Sequence, residues 1–232
     1  MTSRLSELAG CTATTEEFFP IGLAGNQPRS SAGPGTAVNG IARHDRDSWL
    51  GLQLACLLQQ VQNTTRHAKR LVLRRSQEDL TARMRQNSWS VTECLEHIAL
   101  TTRVFLPPIA EIMAKTPRLT RNRPLRCDML AKVLIRTLEP PYRLRHKVLP
   151  HLAPQRNDFP SAWKTFLESQ DQLAEITRSA VGLAIDTVKI QSPVCSRVSY
   201  SIYGALGVLS AHQRRHLWQM EQTLRSLDRR MA

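Results

Sequence analysis

From residue 50 to the C-terminal end, apolar residues recur every three or four positions, and no other regularity of the sequence restricts the fold as strongly. Leu50, Leu54, Leu57, Leu58 and Val61, continuing through Ala68 and Val72, define one face of a first helix. Ser76-Gln-Glu-Asp79 reads as the cap of a short helical turn. Ser90-Val-Thr-Glu93 is an S-x-x-E capping box that starts a second long helix directly after Trp89. Its stripe is Val91, Cys94, Leu95, Ile98, Phe105 and Ile109. Pro107 and Pro108 should bend this helix or end its regular part, because proline removes a backbone donor and crowds the preceding turn. A third helix starts near Pro160, carries Trp163, Phe166, Leu167, Leu173 and Ala174 on one face, and stops at Gly182. A fourth runs from about Arg197 to Arg229, and no alternating strand pattern accompanies the four. The expected fold is an all-α four-helix bundle. About forty residues join helices two and three and about fifteen join three and four, so the predicted order is up-down-down-up with a long crossover between helices 2 and 3.

The first 45 residues hold six of the ten glycines, and the run GLAGNQPRSSAGPGTAVNG has almost nothing to fill a core. Such a segment cannot offset its ordering entropy, so the sequence predicts a disordered Gly/Pro/Ser-rich tail at 1–45 and a bundle domain at 46–232. Translation starting later than Met1 is an alternative account of the tail. Glu7, Glu16 and Glu17 interrupt the N-terminus, which predicts neither a secretory signal nor a transit peptide. No stretch approaches the roughly 18 apolar residues of a membrane span. Cys11, Cys56, Cys94, Cys127 and Cys195 are odd in number and include no C-x-x-C pair, which argues against a disulfide framework or a cysteine zinc module. These features together predict a cytoplasmic protein with no membrane partner.

The fourth helix carries the chemistry. At about 100° per residue, Ile202, Ala205, Leu206, Leu209, Met220, Leu224 and Leu227 form one stripe that also contains His212 and His216, with Gln219 at its edge. A buried polar group without a partner costs roughly 1–3 kcal/mol, so two imidazoles one turn apart need an explanation. They are either core histidines bonded to neighbours or ligands of a metal; H-x-x-x-H alone is weak. His97, at the flank of the second helix's stripe, offers a third imidazole, with a partly exposed flank histidine as the competing reading. Three ligands from two helices leave a position open for water or substrate, the arrangement of a catalytic site. Neutral imidazoles suit Zn, Ni or Fe(II). Glu93, one turn before His97, could orient a ligand or accept a proton, and its other reading is simply the capping box. His44, His67, His146 and His151 have no helical partner and read as surface residues, and Cys94 reads as core packing.

Three segments then resemble a known family. WSVTECLEHIALTTRVFLPPI at 89–109 resembles the second-helix signature of the DinB-like superfamily, and AHQRRHLWQMEQTL at 211–224 its fourth-helix H-x-x-x-H-x-x-Q signature. FPSAWKTFLESQDQLAEITRSAVGLAIDTVKIQSPV at 159–194 is similar to its third helix and the following loop, so the resemblance covers most of 50–228. It implies a four-helix bundle with one long crossover, usually a homodimer, holding a divalent metal through histidines that fall at His97, His212 and His216. Some members are transferases or isomerases that use a low-molecular-weight thiol: bacillithiol, mycothiol or glutathione. Gln219 matches the family's trailing glutamine, which implies contact with a ligand histidine or with substrate. The tail, Pro107-Pro108 and a very basic helix 2–3 connection depart from the pattern.

The formal net charge is +13, and residues 115–147 supply +8 of it: ten Lys and Arg against Asp128 and Glu139. This charge is solvated, or it forms an anion-attracting rim, or it meets nucleic acid. No recognition-helix motif or base-stacking platform supports the last, and no phosphate loop or G-x-S-x-G is present in the expected domain. The expected function is a metal-dependent thiol transferase or isomerase acting on a small-molecule substrate. The alternatives are a metal-dependent hydrolase, a non-catalytic metal-binding or structural bundle, and a basic nucleic-acid-associated protein.

Overall fold

The computed structural model describes residues 49–141, 148–155 and 157–231; the expected tail, the domain boundary at 46, His44 and His146 lie outside them. The helices are α1 (Trp49–Val72), α2 (Gln77–Thr81), α3 (Val91–Met113), α4 (Met129–Leu138), α5 (Phe159–Ser179) and α6 (Ile202–Met231). A 3-10 turn at Pro150–Leu152 precedes α5, and an antiparallel hairpin of β1 (Lys189–Ser192) and β2 (Cys195–Ser201) precedes α6. The chain is therefore mainly helical, as its apolar period predicts. Each predicted stripe is interior: Leu54, Leu57, Leu58, Val61, Ile98, Phe105, Phe166 and Leu173 are all buried.

The four long helices contact one another in a closed set, α1 and α3 each packing on both α5 and α6. Along α1 and α6 the partners ascend together. Gln53 bonds Tyr203, Gln60 accepts from Arg214, His67 pairs with Glu221, and Arg75 pairs with Asp228. His67 thus has a helical partner after all, at 2.6 Å, and is only partly exposed.

Two apolar clusters fill the interior. One joins Leu54, Leu58, Phe105, Ile109, Leu173, Leu206 and Leu209. The other joins Ala68, Val91, Leu95, Ile98, Phe166, Leu217 and Met220. Every long helix contributes a polar side chain to the level between them: Thr64, Thr101 and Thr102, Ser169 and Gln170, and Gln213 with His216 are buried. The helices are thus in register not only in their apolar runs but in the interruption of those runs. The expected metal site lies in that interruption.

Three expectations need correction. Of the two outcomes expected of Pro107 and Pro108, a bend or an end to the regular helix, the second does not occur, since α3 continues to Met113. The carbonyls that lose their donors belong to Arg103 and Val104, exposed and half-exposed positions rather than sealed core ones. The last helix begins at Ile202, not near Arg197, because residues 197–201 are strand: Val198 and Tyr200 point inward while Arg197 and Ser199 are exposed. No strand was expected, yet β1 and β2 pair as an antiparallel hairpin; the long connection itself contains α4.

Asp128 caps α4 by accepting from Ala131 N–H at 3.1 Å, and its other oxygen accepts from Ser201 N–H at 2.9 Å and Ser201 Oγ–H at 2.8 Å. One carboxylate therefore fixes where both α4 and α6 begin. Burial pushes its carboxyl up, and these donors outweigh burial and hold it below the ordinary range. α4 then lies close on α6 because Gly204 leaves room: a Cβ there would meet Ala131 Cβ and Asp128 Oδ2 at 2.7 Å.

Candidate metal centre

The start of α3 positions the first histidine. Ser90 Oγ accepts from Glu93 N–H at 3.1 Å while Glu93 Oε2 accepts from Ser90 N–H at 2.8 Å, so the predicted capping box forms in full. Ser90 Oγ also donates to Asn157 Oδ1 at 2.9 Å, and Asn157 Nδ2 donates to the Thr81 carbonyl, which ties the entry of α3 to α2 and to the approach of α5. Arg83 donates to both carboxylate oxygens of Glu93. Burial pushes the Glu93 carboxyl up, but the bonds from Arg83 and Ser90 prevail and hold it below the usual range. The structure therefore places Glu93 in the cap, its oxygens engaged by Arg83 and Ser90.

His97, one turn on, is 4% exposed. Its Nδ1–H donates to the Leu152 carbonyl at 2.7 Å, since a carbonyl can only accept. That bond leaves a lone pair on Nε2. On α6, His216 Nδ1–H donates to Gln219 Oε1 at 3.1 Å, again leaving the lone pair on Nε2. His212 Nε2 lies 3.1 Å from Nε2 of His97 and 3.1 Å from Nε2 of His216. The three residues form one group whose ligand atoms lie within 4.8 Å of one another.

The charge state matches. Burial pushes the His97 imidazole below its ordinary value, against the pull of the Leu152 carbonyl. His216 is pushed well below by burial, then by His212, His97 and the Arg215 guanidinium. Neutral imidazoles with Nε2 lone pairs aimed at one point are what a cation needs. Around a tetrahedral zinc with Zn–N of about 2.0–2.1 Å, ligand nitrogens sit roughly 3.3 Å apart, close to the two separations found here. One His212 N–H could satisfy only one of its two facing lone pairs, whereas one ion satisfies all three nitrogens. The residues fit a divalent metal.

Around this group, Trp89 places its ring 4.7 Å from that of His97 and stacks at 5.7 Å on that of His216. The imidazoles open on a cavity of about 730 Å³ lined also by Phe105, Leu138, Tyr200, Arg215 and Gln219. That volume takes a drug-sized molecule. Burial pushes the Tyr200 phenol up to about 12, so it stands there as an uncharged hydroxyl.

The sequence brings His97, His212, His216 and Gln219 together as expected. It did not point to Leu152, Tyr200 or Arg215. Leu152 acts through its backbone carbonyl, for which no side-chain pattern exists. Arg215 could have been found, because it follows His212 by three residues on the same helix face. Cys94, on the core face, is fully buried, and burial with the Glu93 charge pushes its thiol far up, so it packs and is no nucleophile. His151 is exposed.

A family model described as the DinB superfamily matches residues 57–220. No curated protein and no solved structure matches the chain. Because the family match takes in most of α1 and all of α3, α5 and the histidine pair of α6, the chain belongs to the DinB superfamily.

Proposed function

We propose that this protein is a metal-dependent enzyme of the thiol-transferase or isomerase type, holding Zn, Ni or Fe(II) on His97, His212 and His216 and using a low-molecular-weight thiol. The observation that carries this reading is the convergence of three Nε2 atoms, two of them held as lone pairs by Leu152 and Gln219, at the wall of a ligand-sized cavity. We infer in addition that α1, α3, α5 and α6 form one up-down-down-up bundle. The ascending α1–α6 partners support the parallel pair. The early residues of α3 share a cluster with the late residues of α6, which supports an antiparallel pair.

A divalent ion on three neutral imidazoles supplies Lewis acidity, which makes a thiol or water nucleophilic at neutral pH. The chain's own residues do the rest. Leu152 and Gln219 each hold a proton on Nδ1 and so fix which nitrogen of His97 and His216 faces the cavity. Trp89 covers the imidazoles and limits the access of bulk water. The apolar wall binds the body of an organic substrate, and the Tyr200 hydroxyl and Gln219 offer hydrogen bonds along it.

The test is turnover by the full-length untagged protein with glutathione, bacillithiol or mycothiol and a panel of electrophiles, alongside ester substrates without thiol. Thiol-dependent turnover that stops on chelation and in His97→Ala supports the proposal. Ester turnover without thiol would replace it by a hydrolase, and no turnover with any pair by a non-catalytic bundle.

A further inference from the structure

α4 is apolar on two sides, and only one of them meets the bundle. Ala131 is buried, and Leu134, Ile135 and Leu138 are partly buried against the first apolar cluster, three, one and three residues apart. Met129, Lys132, Val133 and Arg136 repeat that spacing two residues earlier, about 200° around the helix, and all four are exposed. They form an outer face with Leu130 at its edge. Met129 is 73% exposed, Val133 51% and Leu130 38%. Single exposed apolar side chains are ordinary, but three of the five large ones among the described residues fall within these five positions. The charge around them has one sign. Lys132 and Arg136 stand between the apolar side chains, and Arg121 and Arg126 are exposed in the segment that leads into the helix. The neighbouring carboxylates are engaged elsewhere: Asp128 accepts from Ala131 and Ser201, Glu139 from Arg214, and Asp186 from Arg123. Lys132 and Arg136 form no ion pair among the described residues.

We propose that the outer face of α4 binds the surface of an anionic lipid membrane, with Met129, Leu130 and Val133 entering the headgroup boundary and Lys132 and Arg136 held on lipid phosphates. Apolar side chains and long cationic ones share one exposed line, which suits the depth at which acyl chain gives way to headgroup. A ten-residue helix is about 15 Å long and about 10 Å wide, so its face offers on the order of 150 Å², far below the roughly 800 Å² per partner of a stable protein interface. A bilayer needs no such area, because a few inserted side chains and a basic field act together. A second copy meeting face to face would set Lys132 and Arg136 against like charges. Nucleic acid would bury Met129 and Val133 against phosphates, and α4 carries no aromatic ring to stack on a base. The contact is peripheral, since no helix among the described residues is long and apolar enough to cross a membrane. It replaces the sequence expectation of no membrane partner, and it rests on neither the metal nor the reaction. The inner side of the same helix supplies Leu134, Thr137 and Leu138 to the cavity wall, so the lipid would lie against the helix that walls the cavity.

The experiment is co-sedimentation of the full-length chain with vesicles of mixed phosphatidylserine and phosphatidylcholine, and with vesicles of phosphatidylcholine alone, at physiological ionic strength. The mixed vesicles should bind at least about tenfold more tightly, and added salt should weaken that binding. Lys132→Glu with Arg136→Glu should remove the preference. Met129→Ser with Val133→Ser keeps every charge and should still weaken binding at least about tenfold. Circular dichroism checks the fold, and a pair that does not fold is replaced by its single members Lys132→Glu and Met129→Ser. Equal binding to both vesicles, binding to neither, or binding that survives in either folded pair overturns the proposal. Sedimentation without lipid and titration with duplex DNA test the other occupants. A wild-type dimer that Met129→Ser with Val133→Ser turns into a monomer makes a second copy the occupant and overturns the proposal. Displacement of the vesicles by a duplex that binds the serine pair as tightly as wild type overturns it in favour of nucleic acid.

Discussion

Changing Glu93 to glutamine removes one negative charge from the box that starts α3, one turn before His97. The carboxylate accepts Ser90 N–H at 2.8 Å and Arg83 Nε–H at 2.9 Å, with a further bond from the same guanidinium. Glutamine keeps one carbonyl oxygen, so the cap survives while the charge-assisted contact with Arg83 goes. Such a contact is worth about 1.5–3 kcal/mol when dry. The Arg83 side chain is 50% exposed, so water screens the pair and the expected loss is about 1–2 kcal/mol. The sign of the pH dependence follows from the lowered carboxyl of Glu93. Its contribution is fully present above the unfolded value of about 4.3 and disappears as pH falls through the lower folded value. Urea unfolding of metal-free wild type and Glu93→Gln should differ by that amount near pH 7, and the gap should close as the pH is lowered below about 4. A gap that stays constant with pH would refute the argument, because the charge would then not be its source. The variant should also retain metal, since the oxygens of Glu93 are taken by Arg83 and Ser90. Loss of metal in a folded Glu93→Gln would put Glu93 among the ligands.

Gln219→Leu removes the acceptor that fixes the proton on His216, and competition with a chelator should show metal affinity reduced about 10–100-fold with the fold intact. Phe166→Ala empties a fully buried position beside α3 and α6 and should cost about 3–5 kcal/mol in urea unfolding. Gly204→Ala would gain about 1 kcal/mol of helix propensity but force Ala131 and Asp128 outward. Overpacking of about 1–3 kcal/mol outweighs that gain, and the midpoint should fall rather than rise.

The long helices were legible because each carries its apolar period over many turns, and α3 also announces its first residue through Ser90 and Glu93. The hairpin was not legible. Its alternation lasts only four residues in each strand, Lys189–Ser192 in β1 and Arg197–Tyr200 in β2, and a helical stripe beginning just beyond absorbed the latter positions into α6. α4 was hidden for a related reason. Its sequence MLAKVLIRTL sits in a stretch marked by basic charge, and Met129 and Val133 remain exposed, so its stripe is broad and not confined to a core face. The prolines did not show whether the helix would end, because their cost depends on which side of the helix loses its donors, and sequence alone does not say that Arg103 is exposed and Val104 half-exposed. In the site, the phase of His212 and His216 was readable from spacing. The pairing of His97 with the Leu152 carbonyl, 55 residues away, depends on how the crossover returns to α3.

The central claim is that His97, His212 and His216 hold one divalent ion through their Nε2 atoms. X-ray absorption at the zinc edge of full-length, untagged, zinc-loaded protein tests it most directly. The account predicts one zinc per chain with three imidazole nitrogens at about 2.0–2.1 Å, and loss of that shell in His212→Ala and His216→Ala. A sulfur shell at about 2.3 Å, fewer than three imidazoles, or unchanged zinc in both variants would contradict it.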